Sequence, residues 1–314
     1  MPVALPDVPV ALLDVVPAVL VEDDDGDASV FFAFVSMSTT AAAVARVLAR
    51  AGIDRVFGLP GGEVLVLIDE LRRTGVEFVL MRHEANAGIA ASVYGKLRGR
   101  PGVVLTTLGP GAANLMLPLC SAYLDQEPLL AISAQIPDEF PTSHTHQLLP
   151  LHDVYRPVAK YVATVTAADA GDVMSRALSA CMERPYGAAY VTLSAREALK
   201  PAPASDVVLS DRVATVDRSS ASFDAARALA EKLTRAKRPL VVVGLGIDPA
   251  NASRLRAWLD AWNLPVAVTP KVKGIVDETA ANFVGVAGGM AADDVMIDQP
   301  FDGPALSVQR PLLS

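Results

Sequence analysis

Apolar positions along this chain switch between two periods. Val44, Val47, Leu48 and Ala51 fall on one helical face; Ser38-Thr39-Thr40 ahead of them is an N-cap signal, and Gly52 is placed to end the helix. Arg55-Val56-Phe57 then reads as a short strand running into Gly58-Leu59-Pro60-Gly61-Gly62. Leu65, Ile68 and Leu71 mark the next helix, stopped near Gly75, and residues 76–80, 103–107 and 129–133 read as further strands. Strands separated by helices of this length predict an α/β fold, a parallel sheet with helices on both faces. Such sheets bind ligands beyond the carboxyl ends of their strands. Three unusual segments, around Gly58, Glu84 and Gly109, each follow a strand and gather at that edge.

The 314 residues leave room for about two domains. A hydrophobic content of 52% with only 5% aromatic residues means that Ala, Val and Leu fill the cores. The expected division is an acidic extension over 1–36, a first domain over 37–200, a linker over 201–218, a partial second α/β domain over 219–296 and an irregular tail over 297–314. Seven of the 35 acidic residues lie in residues 1 to 36, which contain no Lys or Arg. The net charge of −8 therefore belongs to the extension, and the nearly neutral remainder argues against a nucleic-acid partner. Four prolines and the self-repelling run Glu22 to Asp27 point to a disordered tail or a start at Met37; an acidic docking arm is the other reading.

Cys120 and Cys181 form no C-x-x-C pair, so neither a disulfide framework nor a zinc site has support. No apolar run reaches the roughly 18 residues of a membrane helix, and the chain reads as cytoplasmic, with no membrane partner. His144 and His146 lie in a Pro-bounded loop without acidic or thiol partners at metal spacing, so no metal is assigned to them. Gly244-Leu245-Gly246 begins a dinucleotide fingerprint, but Pro249 stands where its third glycine belongs, which disfavours a dehydrogenase.

Glu84, in Arg82-His83-Glu84, begins a helix of small residues: Ala85, Ala87, Gly88, Ala90 and Ala91. A glutamate at a helix start can simply complement the helix dipole. The small residues instead imply a closely packed interface and a partly desolvated carboxylate able to share a proton. Gly109-Pro110-Gly111 is open to the same two readings, a sharp turn or an anion-holding helix start. It is not a P-loop, because no Gly-Lys-Ser/Thr follows.

Gly58-x-Pro60-Gly61, Arg82-His83-Glu84, Tyr94, Gly109-Pro110-Gly111 with Asn114, and Tyr123-x-Asp125-x-x-Pro128 follow one another along the chain. Their order and spacing resemble the acetolactate synthase family of thiamine-diphosphate enzymes. Ile132-Ser133-Ala134-Gln135 resembles the closing strand of the family's first, pyrimidine-binding domain, and Gln147 falls where the family has a loop glutamine. His146 departs from it, standing where the synthases usually carry an aromatic residue. A strand over 188–193, a helix from Phe223, a strand over 239–243 and Thr269-Pro270-Lys271-Val272-Lys273-Gly274 resemble the remainder of that domain and the central domain.

The resemblance implies thiamine diphosphate as cofactor and 2-oxo acids as substrates for decarboxylation and carboligation. It makes Glu84 and Gln147 the catalytic candidates. Glu84 would hydrogen-bond the aminopyrimidine ring nitrogen and favour the imino tautomer; Gln147 would contact substrate or intermediate. Pro60, Gly61, Gly109, Pro110, Gly111 and Asn114 join Glu84 as cofactor-binding candidates, with Gly61 and the Gly109 turn letting backbone approach the ring. The family's Gly-Asp-Gly motif and metal-binding Asn have no counterpart here. Mg2+ would then be held only with a separate diphosphate-binding chain, and a flavin (FAD) has no supporting motif. The chain is thus expected to be part of a lyase or transferase that is inactive alone, as a homo-oligomer or with a diphosphate-binding subunit. The competing expectation is a truncated, inactive member acting at most as an interaction partner.

Overall fold

The computed structural model describes residues 18–22, 28–32, 38–137, 146–203 and 220–287. The tail over 297–314, most of the 201–218 linker and His144 lie outside the described residues. In the extension, β1 (Ala18–Glu22) and β2 (Ala28–Phe32) pair antiparallel, Ala18 opposite Phe32, and among the described residues join no other sheet. The sequence reading placed no regular structure in 1–36. The difference has a plain source in the β-branched and aromatic residues Val19, Val21, Val30, Phe31 and Phe32. The remainder of the extension, including the acidic run 23–27, is outside the described residues.

The first unit opens with β3 (Ser38–Thr39) and α1 (Thr40–Arg50). The Thr39 hydroxyl caps that helix by accepting from Ala42 N at 3.2 Å, as the Ser-Thr-Thr signal required. Then follow β4 (Arg55–Leu59), α2 (Leu65–Arg73), β5 (Glu77–Leu80), α3 (Glu84–Arg98) and β6 (Gly102–Thr106). A four-residue helical turn, α4 (Pro110–Ala113), leads to α5 (Met116–Asp125) and β7 (Leu129–Gln135). The unit continues with α6 (Leu151–Tyr155), β8 (Tyr161–Thr164), α7 (Ala170–Met182), β9 (Ala188–Ser194), α8 (Ala195–Leu199) and β10 (Pro201–Ala202). β10 pairs antiparallel with β3, and Thr40 donates its backbone N–H to Lys200 O at 2.9 Å, pinning the unit's two ends together.

Six strands form one parallel sheet in the order β5-β4-β6-β7-β9-β8. The expected parallel α/β sheet is present, but the strand taken as closing does not close it. β7 is interior, paired with β6 on one side and β9 on the other. β8 and α7 were not legible beforehand, because β8 is half-buried throughout and carries no continuous apolar run.

Alternate residues of each strand feed two cores. Val103, Leu105, Leu130 and Ile132 pack with Leu48 of α1, Leu71 of α2 and Met174 of α7 on one face. Val104, Leu129, Ala131 and Tyr190 pack with Ala87 and Ala91 of α3, Leu119 of α5 and Tyr155 of α6 on the other. That two-sided burial is why the strands read as unbroken apolar runs. Since α2 and α3 cover opposite faces, β5 and β6 flank β4 on opposite sides. The loops after β4 and β6 thereby border the crevice where such sheets bind ligands.

A second unit contains α9 (Ser220–Arg235), β11 (Val241–Val243), α10 (Ala252–Trp262), β12 (Val266–Val268) and β13 (Phe283–Val286). Its three strands are parallel in the order β11-β12-β13, around a core of Val243, Leu259, Val266 and Val268. Two ion pairs tie it to the first unit: Arg184 to Asp248 at 3.0 Å, and Lys271 to Asp125. The loop carrying Gly246 also accepts from Arg184, so the broken dinucleotide fingerprint is engaged with the first unit.

Candidate active site at the carboxyl edge of the sheet

Glu84 is the first residue of α3 and only 7% exposed. The helix starts there because His83 is extended and its Nδ1 accepts from Ala85 N at 3.1 Å. Glu84 Oε2 accepts from the Asn114 side-chain amide at 2.9 Å. A carboxylate offers about four acceptor positions, so this bond fixes the group and leaves capacity for a donor from a ligand. Such a charge-assisted bond away from water is worth more than a neutral one.

The small residues of α3 bring the helix down onto the chain's own elements. A Cβ on Gly88 would stand 2.5 Å from Pro118 Cγ in α5. One on Gly95 would stand 2.1 Å from Gly102 N at the start of β6. The close packing read from these residues is therefore within the chain, and it is what lets Glu84 and Asn114 meet across two connections.

The glycines at this edge serve the same purpose. At Gly111 a Cβ would lie 3.2 Å from Glu84 Oε1 and 2.6 Å from Thr107 Cγ2. At Gly61 it would lie 2.4 Å from Thr107 Oγ1 and 2.8 Å from Glu63 Oε2. At Gly109, with φ 59° and ψ −122°, it would lie 2.7 Å from Gln147 Cβ. The space released at Gly61 and Gly109 is thus taken by Thr107, Glu63 and Gln147. Pro60 precedes this turn half-buried, and Pro110 occupies the first helical position of α4, where its missing N–H leaves no bond unmade.

Gln147 itself has φ 58°, an uncommon conformation for a residue with a side chain. Sequence reasoning passed over Glu63 and Thr107, whose hydroxyl donates to Glu63 Oε2 at 2.7 Å and bridges the loops after β4 and β6. The signal available for Glu63 was an acid directly after two glycines at a helical start. Tyr94 belongs elsewhere. Ten residues beyond Glu84, about 15 Å along α3, it donates to Asp54 Oδ2 at 2.8 Å and anchors the far end of the helix.

The fold and site together define a parallel α/β domain that holds a nearly buried carboxylate at the carboxyl edge of its sheet. Residues 38–153 match the family description "Thiamine pyrophosphate enzyme, N-terminal TPP binding domain", and residues 226–297 match "Thiamine pyrophosphate enzyme, central domain". The chain belongs to the thiamine pyrophosphate enzyme family. It is 31% identical over 229 residues to the acetolactate synthase of Bacillus subtilis (strain 168), covering 72% of this chain and 40% of the relative. It is 32% identical over 256 residues to the acetolactate synthase large subunit of Corynebacterium glutamicum, covering 80% of this chain and 40% of the relative. A third relative, the B. subtilis "Putative thiamine pyrophosphate-containing protein YdaP", is 29% identical over 256 residues, with 80% and 44% covered. The chain spans about two fifths of the length of these relatives. Among the described residues no helix is long and apolar enough to cross a membrane.

Proposed function

We propose that this chain supplies the pyrimidine-holding part of a thiamine-diphosphate enzyme that decarboxylates 2-oxo acids and joins the product to an acceptor. The observation that carries this reading is the Glu84–Asn114 bond. It fixes a nearly buried carboxylate while leaving acceptor positions open, which suits a ring nitrogen that must gain and release a proton. The cofactor, when bound, supplies the carbon nucleophile and electron sink. Glu84 would hold the proton at the aminopyrimidine ring nitrogen. Asn114 would keep the Glu84 carboxylate aimed, and Gly111 would leave room for it. Gln147, seated on Gly109, would meet the substrate side, and the turns at Pro60-Gly61 and Pro110 would form the walls. The residues of this site are assigned to the pyrimidine half of the cofactor, and none of them to Mg2+ or the diphosphate.

A second copy is the favoured partner. Ile89, Val93 and Leu97 follow one another at four-residue spacing on the outer side of α3, and all are exposed, as are Leu117 and Leu124 of the adjacent α5. A cytoplasmic setting is part of the same proposal, in keeping with the free thiols Cys120 and Cys181.

The test uses the full chain titrated with thiamine diphosphate and Mg2+ and followed by NMR. Signals of Glu84, Gly111 and Asn114 should move first, and Glu84→Gln should suppress those shifts. In the assembled enzyme the same variant should slow proton exchange at the thiazolium carbon of the cofactor. Exchange unchanged by the substitution would remove Glu84 from this role.

A further inference from the structure

Two fully buried tyrosines lie under the site. Tyr155, the last residue of α6, and Tyr190, in β9, stack with ring centroids 4.2 Å apart. Their hydroxyls are used differently. Tyr190 shares a hydrogen bond with Ser133 Oγ at 2.5 Å, joining two adjacent strands of the sheet. Tyr155 donates to the carbonyl of Ala112.

Ala112 lies in α4, between Gly111, which faces Glu84, and Asn114, which holds Glu84. Four residues are too few for a helix to be stable by itself. The internal bonds of this turn are Ala113 N to Gly109 O at 2.9 Å and Asn114 N to Pro110 O at 3.0 Å. Gly109, at its start, has a backbone conformation that only glycine adopts readily, so the turn is not set by local preference. The Tyr155 hydroxyl, from an element 43 residues away in sequence, ties it to the core. A phenol buried there without an acceptor would carry a desolvation cost, so the bond constrains both partners. Burial also raises the Tyr155 pKa, which keeps the hydroxyl a donor.

We propose that Tyr155 is a positioning residue for the site: by holding the Ala112 carbonyl it seats the α4 turn and thereby sets the Asn114–Glu84 bond. The inference rests on the reading of Glu84 as the working group, and it adds a residue whose hydroxyl bonds to the turn rather than to Glu84 or Asn114. Tyr190 is the internal control, being equally buried, in the same stack and bonded away from the turn.

The experiment follows the Asn114 side-chain amide by NMR in the full chain, selectively labelled with 15N-asparagine; Asn114→Ala identifies its signal. Tyr155→Phe removes one hydroxyl and keeps the ring. It should move the Asn114 amide pair and speed its exchange with water about tenfold, the change expected when one hydrogen bond is lost. Tyr190→Phe should leave both unchanged. An Asn114 signal unmoved by Tyr155→Phe, or moved equally by both variants, overturns the proposal. A measurement on the unaltered chain covers the case in which Tyr155→Phe does not fold. Leu115 N also donates to Ala112 O, at 3.1 Å, so the Tyr155 hydroxyl proton should be observable and cross-relax with the Leu115 amide. Its absence would equally overturn the proposal. No cofactor enters either measurement, so failure here is separable from failure of the role given to Glu84.

Discussion

Asn114 reaches across from the end of the α4 turn to hold Glu84 Oε2 at 2.9 Å, joining the connection after β5 to the connection after β6. Thirty positions separate the two residues in sequence, and nothing in the local pattern of either segment requires them to meet. Replacing Asn114 with Ala would leave a nearly buried carboxylate without this partner. Hydrogen bonds to charged groups contribute about 1.5–3 kcal/mol, and a destabilisation of that order is expected in thermal or urea unfolding. Glu84→Gln keeps an oxygen to accept from Asn114, so its loss should be clearly smaller. Equal losses would mean that the pair is not the constraint inferred from its geometry.

Gly109→Ala should be clearly destabilising. Its φ of 59° with ψ −122° is a region that a Cβ disfavours by about 1–3 kcal/mol. The added methyl would also stand 2.7 Å from Gln147 Cβ, so strain and collision act together. Gly75 provides the comparison: it has φ 80°, yet nothing lies within 4 Å of a Cβ placed there. Gly75→Ala should therefore show the strain alone. A melting temperature for Gly109→Ala no lower than for Gly75→Ala would show that Gln147 yields freely.

Cys181 lies wholly buried beneath β7, donating to Leu129 O at 3.2 Å, and burial pushes its thiol up to about 12. The folded chain at pH 8 should leave it unreactive toward an aromatic disulfide reagent until denaturant is added, while the partly exposed Cys120 reacts. The sign of the linkage follows from the raised value. The folded state keeps this proton after the unfolded state has released it, so stability from this group is complete below about pH 9 and falls as pH rises toward 12. Prompt labelling of Cys181 at pH 8 would contradict the packing of α7 on the sheet.

Deletion of residues 1–36 tests the extension. Among the described residues β1 and β2 pair with each other alone, and an isolated two-stranded hairpin is marginal in water. The melting temperature of the remaining chain should not change. A clear fall would show that the hairpin packs on the body.

Much of the sheet was legible because burial on both faces writes strands as plain apolar runs. Residues 103–107 and 129–133 were read nearly as they stand in β6 and β7. The position of β7 was not, since strand order depends on which face each helix takes and no local pattern encodes that. At the site, Glu84 and Gly111 stood out by residue type. Glu63, Thr107 and Tyr155 did not, because each acts through a contact between loops distant in sequence. The small residues of α3 pointed correctly to close packing, and the sequence could not say that the surface packed against was the chain's own.

The opposite side of α3 carries the remaining prediction. Ile89, Val93 and Leu97 recur every four residues, and Leu97 is 81% exposed although it is among the larger apolar side chains of the helix. Leu117 and Leu124 of α5 extend the apolar surface, since α5 packs beside α3 through Pro118 and Gly88. Fully burying a side chain of this kind contributes about 1.5–3 kcal/mol, so a handful covered together can offset an association cost of about 4–15 kcal/mol. Self-association of the full chain is expected, growing with concentration in sedimentation velocity. Val93→Asp with Leu97→Asp places two like charges on the stripe, away from the inward Ala87, Gly88, Ala91 and Gly95. The variant should keep its fold by circular dichroism and sediment as a monomer. If it associates as the unaltered chain does, another surface joins the copies; if the unaltered chain is monomeric at all concentrations, a different partner covers the stripe.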